Sequence, residues 1–125
     1  MNENEIAEFD PQIYPRLLWV VVGRERFESR FDGVSQWSDD CYAITDCAYD
    51  RENNKGGVMV RFGSVENMTP GNIAHEAVHV AAVIYEYCGI KAEMNNSEHM
   101  AYLVGWAAQC MGQVKEDMTK APEME

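Results

Sequence analysis

Between Thr69 and Gly89 the chain carries a run that admits one local structure. Thr69 offers an N-cap, Pro70 suits the first helical turn, and Cys88-Gly89 supplies a stop. In between lie Ile73, Ala74, Ala77, Val78, Ala81, Ala82 and Ile84, so the helix is apolar around most of its circumference and is expected inside the protein. A buried helix has to be covered on several sides. With 125 residues, 46% of them hydrophobic, the chain can do this once, in a single domain with a single core.

The covering elements can be read on either side of that run. Arg16 to Val22, closed by Gly23, is a β-branched and aromatic stretch expected as a central strand. Residues 24–38 place Phe27, Phe31 and Val34 at three-to-four spacing and suggest a short amphipathic helix or turn. Cys41 to Tyr49 and Val58 to Phe62 read as a hairpin across the turn-forming stretch 50–57. A second helix fits from about Ser97 to Asp117, with Met100, Leu103, Val104, Ala107, Met111 and Val114 on its core side. The expected fold class is therefore α+β: a small twisted sheet of about three to four strands packed on the buried helix and a second helix. Residues 1–12 read as a polar leading segment, 13–117 as the domain, and 118–125 as a disordered acidic tail.

The buried run contains His75-Glu76-Ala77-Val78-His79, the HExxH pattern. Four residues apart on a helix, two imidazoles share a face and can chelate one ion. As core histidines they would each need a carbonyl acceptor, and burying both with a carboxylate and no common partner would cost several kcal/mol. A divalent metal, Zn²⁺, removes that difficulty. Zinc held by two histidines needs a third protein ligand and, in a catalytic site, keeps one position for water. Glu98 is the candidate: positions 98, 101, 102 and 105 fall on one helical stripe, and Ala101 and Gly105 are small enough for close approach between helices. His99, about 100° round the helix from Glu98, is the competitor.

His75-Glu76-Ala77-Val78-His79, followed by Glu98-His99-Met100-Ala101-Tyr102, resembles the gluzincin type of zincin metallopeptidase, with its downstream ExxAY glutamate. The resemblance spans about residues 58–105 and extends to short free-standing proteins of phages and mobile elements. It implies a zincin-like fold, zinc on His75, His79 and Glu98, and a peptide or protein substrate lying along the strand Val58–Phe62 at the edge of a cleft. Glu76 would act as general base and proton carrier to the leaving amine. Tyr102, four residues after Glu98 and on the same face, could serve as oxyanion donor or as a brace for Glu98, or simply pack there.

Charge and composition narrow the partners. Ten Lys and Arg against 21 Asp and Glu give a formal net charge of −11, which repels nucleic-acid backbones and anionic membrane surfaces. No stretch approaches a membrane span and the first residues lack the pattern of a secretory signal, so a cytoplasmic location is the expectation. Cys41, Cys47, Cys88 and Cys110 form no CxxC pair and are expected as reduced, mostly buried thiols. Two other functions fit the composition: a catalytically idle zinc domain that binds a partner, and an acidic mimic of nucleic acid. A zinc hydrolase acting on a non-peptide bond fits the motif equally well.

Overall fold

The computed structural model describes residues 1–120. The tail expected to be disordered falls partly within it, since Met118 and Thr119 complete a helix, and partly in residues 121–125, outside the described residues. Five strands form one mixed sheet: β1 (Ile6–Phe9), β2 (Leu17–Val22), β3 (Phe31–Asp32), β4 (Ala43–Asp50) and β5 (Lys55–Phe62). Two helices follow, α1 (Pro70–Cys88) and α2 (Glu98–Thr119), with a single 3-10 turn at Val65–Asn67 before α1. The spatial order is β1-β2-β5-β4-β3; β2 and β5 run parallel and every other neighbouring pair is antiparallel.

Strand β2 is buried at all six positions because both of its faces are covered. Leu18, Val20 and Val22 join Val58, Val60 and Phe62 of β5 under the two helices. Leu17, Trp19 and Val21 turn to the other face, where Met59, Phe31, Val34 and Ala48 complete a second, smaller core with Phe27 at its margin. The spacing of Phe27, Phe31 and Val34 therefore reflects a loop wrapped over the sheet and not the helix it suggested. Gly33 sets that path. Its φ is +88°, and a Cβ there would stand 2.4 Å from the Cys47 carbonyl oxygen.

Three other expectations change. The leading segment is not merely polar: Ile6–Phe9 is an edge strand paired with β2, and the Glu8 carboxylate accepts the Trp19 indole N–H at 2.8 Å. The hairpin turn is shorter than residues 50–57, because Asp50 and Lys55 still pair. Buried Asp50 closes it, accepting from the Glu52 and Asn53 amides and from both Arg30 Nε and Nη2. The Arg30 guanidinium holds the Asp50 carboxyl well below the usual carboxylate range. Of the four cysteines, all free, only Cys110 is fully buried, and burial pushes its thiol up to about 11.

Helix α1 begins where the sequence placed it, with Asn72 N–H donating to the Thr69 hydroxyl, and ends at Gly89 in the left-handed conformation. It is not buried all round. Ile73, Glu76, Ala77, Val80, Ala81, Ile84 and Tyr85 form its buried arc, while Ala74, Val78, Ala82 and Tyr87 are exposed. Helix α2 uses Leu103, Ala107, Cys110, Met111 and Val114 against the same core. Its first turns share a groove with Tyr14, whose ring lies 6.3 Å from Tyr85 near the end of α1. Farther along, α2 meets the 3-10 turn that precedes α1, so the two helices run in opposite directions. Among the described residues no helix is long and apolar enough to cross a membrane.

Candidate metal centre

His75, Glu76 and His79 are brought together in a cleft of about 380 Å³ between α1 and the start of β4, with Asp40, Cys41, Tyr42 and Thr45 on the opposite wall. At 100° per residue the buried arc of α1 is centred about 180° from His75, with His79 about 40° round on the Glu76 side. The imidazoles thus project from the exposed flank, the His75 side chain at 58% exposure. This corrects the expectation that the pair replaces apolar residues in the core. The desolvation argument for a metal falls away for the rings and survives for Glu76 alone, which is 4% exposed.

The two Nε2 atoms stand 3.2 Å apart, with the rings 64° from coplanar. Two zinc–nitrogen bonds of about 2.05 Å at the tetrahedral angle span about 3.3 Å between nitrogens, so the pair already has the bite of a zinc chelate. Glu76 occupies the shoulder between the exposed flank and the core. Thr45 Oγ1 donates to its Oε1 at 2.7 Å, and Oε2 lies 3.8 Å from His75 Nε2. The carboxylate is fixed on one oxygen and turned toward the pair with the other. Tyr42 meets His75 edge-on at 6.0 Å between ring centroids. Burial first, then the charge of the Glu76 carboxylate and a hydrogen bond to it, raises the pKa of the Tyr42 hydroxyl.

Glu98 and Tyr102 stand elsewhere. Among the described residues no group of three His, Cys, Asp or Glu side chains is placed to hold a metal, so Glu98 does not join His75 and His79. His79 lies nine residues before Cys88, about 13 Å along α1, and α2 starts its return only at Glu98. The linker 89–97 is exposed along its whole length. The stripe of Glu98, Ala101, Tyr102 and Gly105 is exposed throughout, and a Cβ on Gly105 would meet nothing within 4 Å. Tyr102, 73% exposed, instead lines an apolar groove with Pro11, Ile13, His99 and Trp106.

The edge of the cleft is also reassigned. Strand β5 lies between β2 and β4 and has no free side, whereas β3 pairs only with Tyr49 and Asp50 and leaves Ala43–Cys47 of β4 without a strand beyond it. Arg61 of β5 is fully buried. Its guanidinium donates to the Arg24, Glu25 and Ser35 carbonyls and to Asp46, fastening the loop after β2 to the sheet. The sequence reading passed over Thr45 and Tyr42. Strand alternation could have flagged Thr45 on the helix side of β4, but no local signal marks Tyr42. Searches against family models, curated proteins and solved structures find no match to the chain.

Proposed function

We propose that His75 and His79 are two ligands of a zinc site and that the protein is a zinc-dependent hydrolase, a metallopeptidase acting on peptide or protein substrates. The observation that carries this reading is the 3.2 Å separation of the Nε2 atoms beside a buried carboxylate anchored by Thr45. Two rings tethered to one rigid helix at this separation already stand near the nitrogen–nitrogen distance of a tetrahedral ion. The chemistry zinc supplies when bound is Lewis acidity, which polarises a carbonyl and acidifies water to a pKa of about 7.

The chain's own groups supply the rest. Glu76 Oε2, the oxygen that Thr45 leaves free, takes a proton from the attacking water and returns it to the departing amine. Thr45 fixes which oxygen does this. The stretch Ala43–Thr45 of β4, which lines the cleft and has no strand beyond it, offers main-chain donors and acceptors to an extended peptide, aligning a scissile bond over the pair. The resemblance assigns the third ligand to Glu98, and that assignment requires the linker 89–97 and the first turn of α2 to move on metal binding. Asp40 and Cys41 need less movement, because they already line the cleft.

Metal analysis of the purified protein tests the site. One zinc per chain is expected, lost in His75→Ala and His79→Ala; full zinc in both variants sinks the reading. Among Asp40→Ala, Cys41→Ala, Glu98→Ala and His99→Ala, the variant that also loses zinc identifies the third ligand.

A further inference from the structure

At the far end of α1 from the paired imidazoles, a protein whose net charge is −11 assembles a cationic cleft of about 530 Å³. Arg16 just before β2, Lys55 and Gly56 of β5, Tyr49 of β4 and Tyr87 of α1 line it. Among the described residues neither Arg16 nor Lys55 forms an ion pair. From this cleft and its alignment with the metal centre, we infer that Arg16 anchors a subsite for a carboxylate of the substrate, about four to five residues from the bond that is cleaved. The inference rests on the zinc hydrolase reading.

Arg16 is held in place before any ligand arrives. Its guanidinium lies over the Tyr87 ring, 3.1 Å from the ring centroid, and against Gly56 on its way there. A Cβ at Gly56 would fall 1.3 Å from Arg16 Nη1, so a side chain at that position would push the guanidinium aside. Arg16 Nε is buried and has no hydrogen-bond partner. A guanidinium stacked on an aromatic ring keeps its N–H groups at its edge, where their fork matches the two oxygens of a carboxylate. The one carboxylate on the walls, Asp10, accepts the Gln12 amide N–H at 2.7 Å. The Tyr49 hydroxyl donates to Asn54 Oδ1 at 3.3 Å, which leaves the Asn54 amide nitrogen as a further donor in the cleft.

The cleft and the metal centre lie at two ends of one face. Glu76 and Tyr87 are eleven residues apart, three turns of α1 to within about 20°, so they share a stripe about 16 Å long. Alongside it, Thr45 holds Glu76, and Tyr49, four residues farther on the same face of β4, lines the cationic cleft. Those four residues are about 13 Å of strand. Between them Cys47 points to the same face and is exposed, so the side of β4 next to α1 is open from the metal pair toward Arg16. An extended peptide covers about 13–16 Å in four to five residues.

Three kinds of acetylated alanine octapeptide test the subsite: one ending in a free carboxylate, one amidated, and one amidated with a single glutamate placed at each position in turn. An acidic peptide should show a KM about tenfold below that of the neutral amide, the difference falling in KM and not in kcat. An advantage confined to the free acid assigns the subsite to a chain terminus, and one confined to a glutamate peptide assigns it to a side chain. Arg16→Gln and Gly56→Ala should each raise the KM of the favoured peptide to that of the neutral amide with zinc content unchanged. Lys91→Gln, which removes an exposed charge outside the cleft, should keep the preference. Equal KM values for all the peptides in a protein that holds zinc and cleaves them overturn the subsite and leave the hydrolase reading intact. A preference that survives in both Arg16→Gln and Gly56→Ala, or that is lost equally in Lys91→Gln, does the same. Absence of both zinc and turnover in the unaltered protein overturns both proposals.

Discussion

The flank of α1 that carries His75 and His79 and the stripe of α2 that carries Glu98 and Tyr102 look alike in sequence, each a set of polar residues at helical spacing. They differ in what lies beside them. The α1 flank faces the start of β4, where the side chains of Thr45 and of Tyr42 just before the strand reach Glu76 and His75 and turn an exposed helix face into a walled cleft. The α2 stripe is exposed: a Cβ on Gly105 would meet nothing within 4 Å, and Tyr102 lines a separate apolar groove. Spacing on one helix guarantees that side chains share a face, but it does not say what that face meets.

Glu76→Gln sharpens the contrast most. Turnover should fall by about 10²–10⁴-fold, the usual contribution of a general base, while zinc content holds because the ligands are untouched. Unchanged turnover on a peptide substrate would falsify the assignment of Glu76. A paired stability measurement comes next. Leu103→Ala, inside the helix contact, should cost about 2–5 kcal/mol in denaturant unfolding. Gly105→Ala, on the open stripe, should raise stability by about 0.5–1 kcal/mol through helix propensity. A destabilising Gly105→Ala would mean that the stripe packs against something after all.

The smallest effect concerns the far end of the sheet. The folded pKa of Asp50 lies below its unfolded value, so its contribution to stability is complete above the ordinary aspartate pKa of about 3.9. It is shed as the pH falls below that value. Thermal melting between pH 6 and 2.5 should show an acid-side loss that is reduced in Asp50→Asn. Identical pH slopes in the two proteins would remove the Arg30–Asp50 pair from the acid response.

Much of this architecture could be read in advance. Strand β2, helix α1 with its cap and stop, and the core positions of α2 followed from local pattern, because each buries a face whose period matches its own geometry. Strand β1 was obscured by its charges: Glu8 alternates with Ile6 and the partly buried Ala7 and Phe9 as an edge strand permits, and it resembled the acidic residues around it. Arg61 misled in the opposite sense. A charged residue in a strand suggests an exposed position, yet here the carbonyls of Arg24 and Ser35 fold over the sheet and accept from its Nη atoms, leaving Nε without a partner.

By itself the sequence determined that His75 and His79 share one face, since they belong to one helix and the rise and turn of that helix set their separation. It also determined that Glu76 follows one step round, at the border of the buried arc. Only the tertiary structure decided which element faces that pair. The register of β4 against β5 and the direction of α2 depend on contacts between residues far apart in the chain, and those contacts put Thr45 and Tyr42 at the cleft and left Glu98 beyond it.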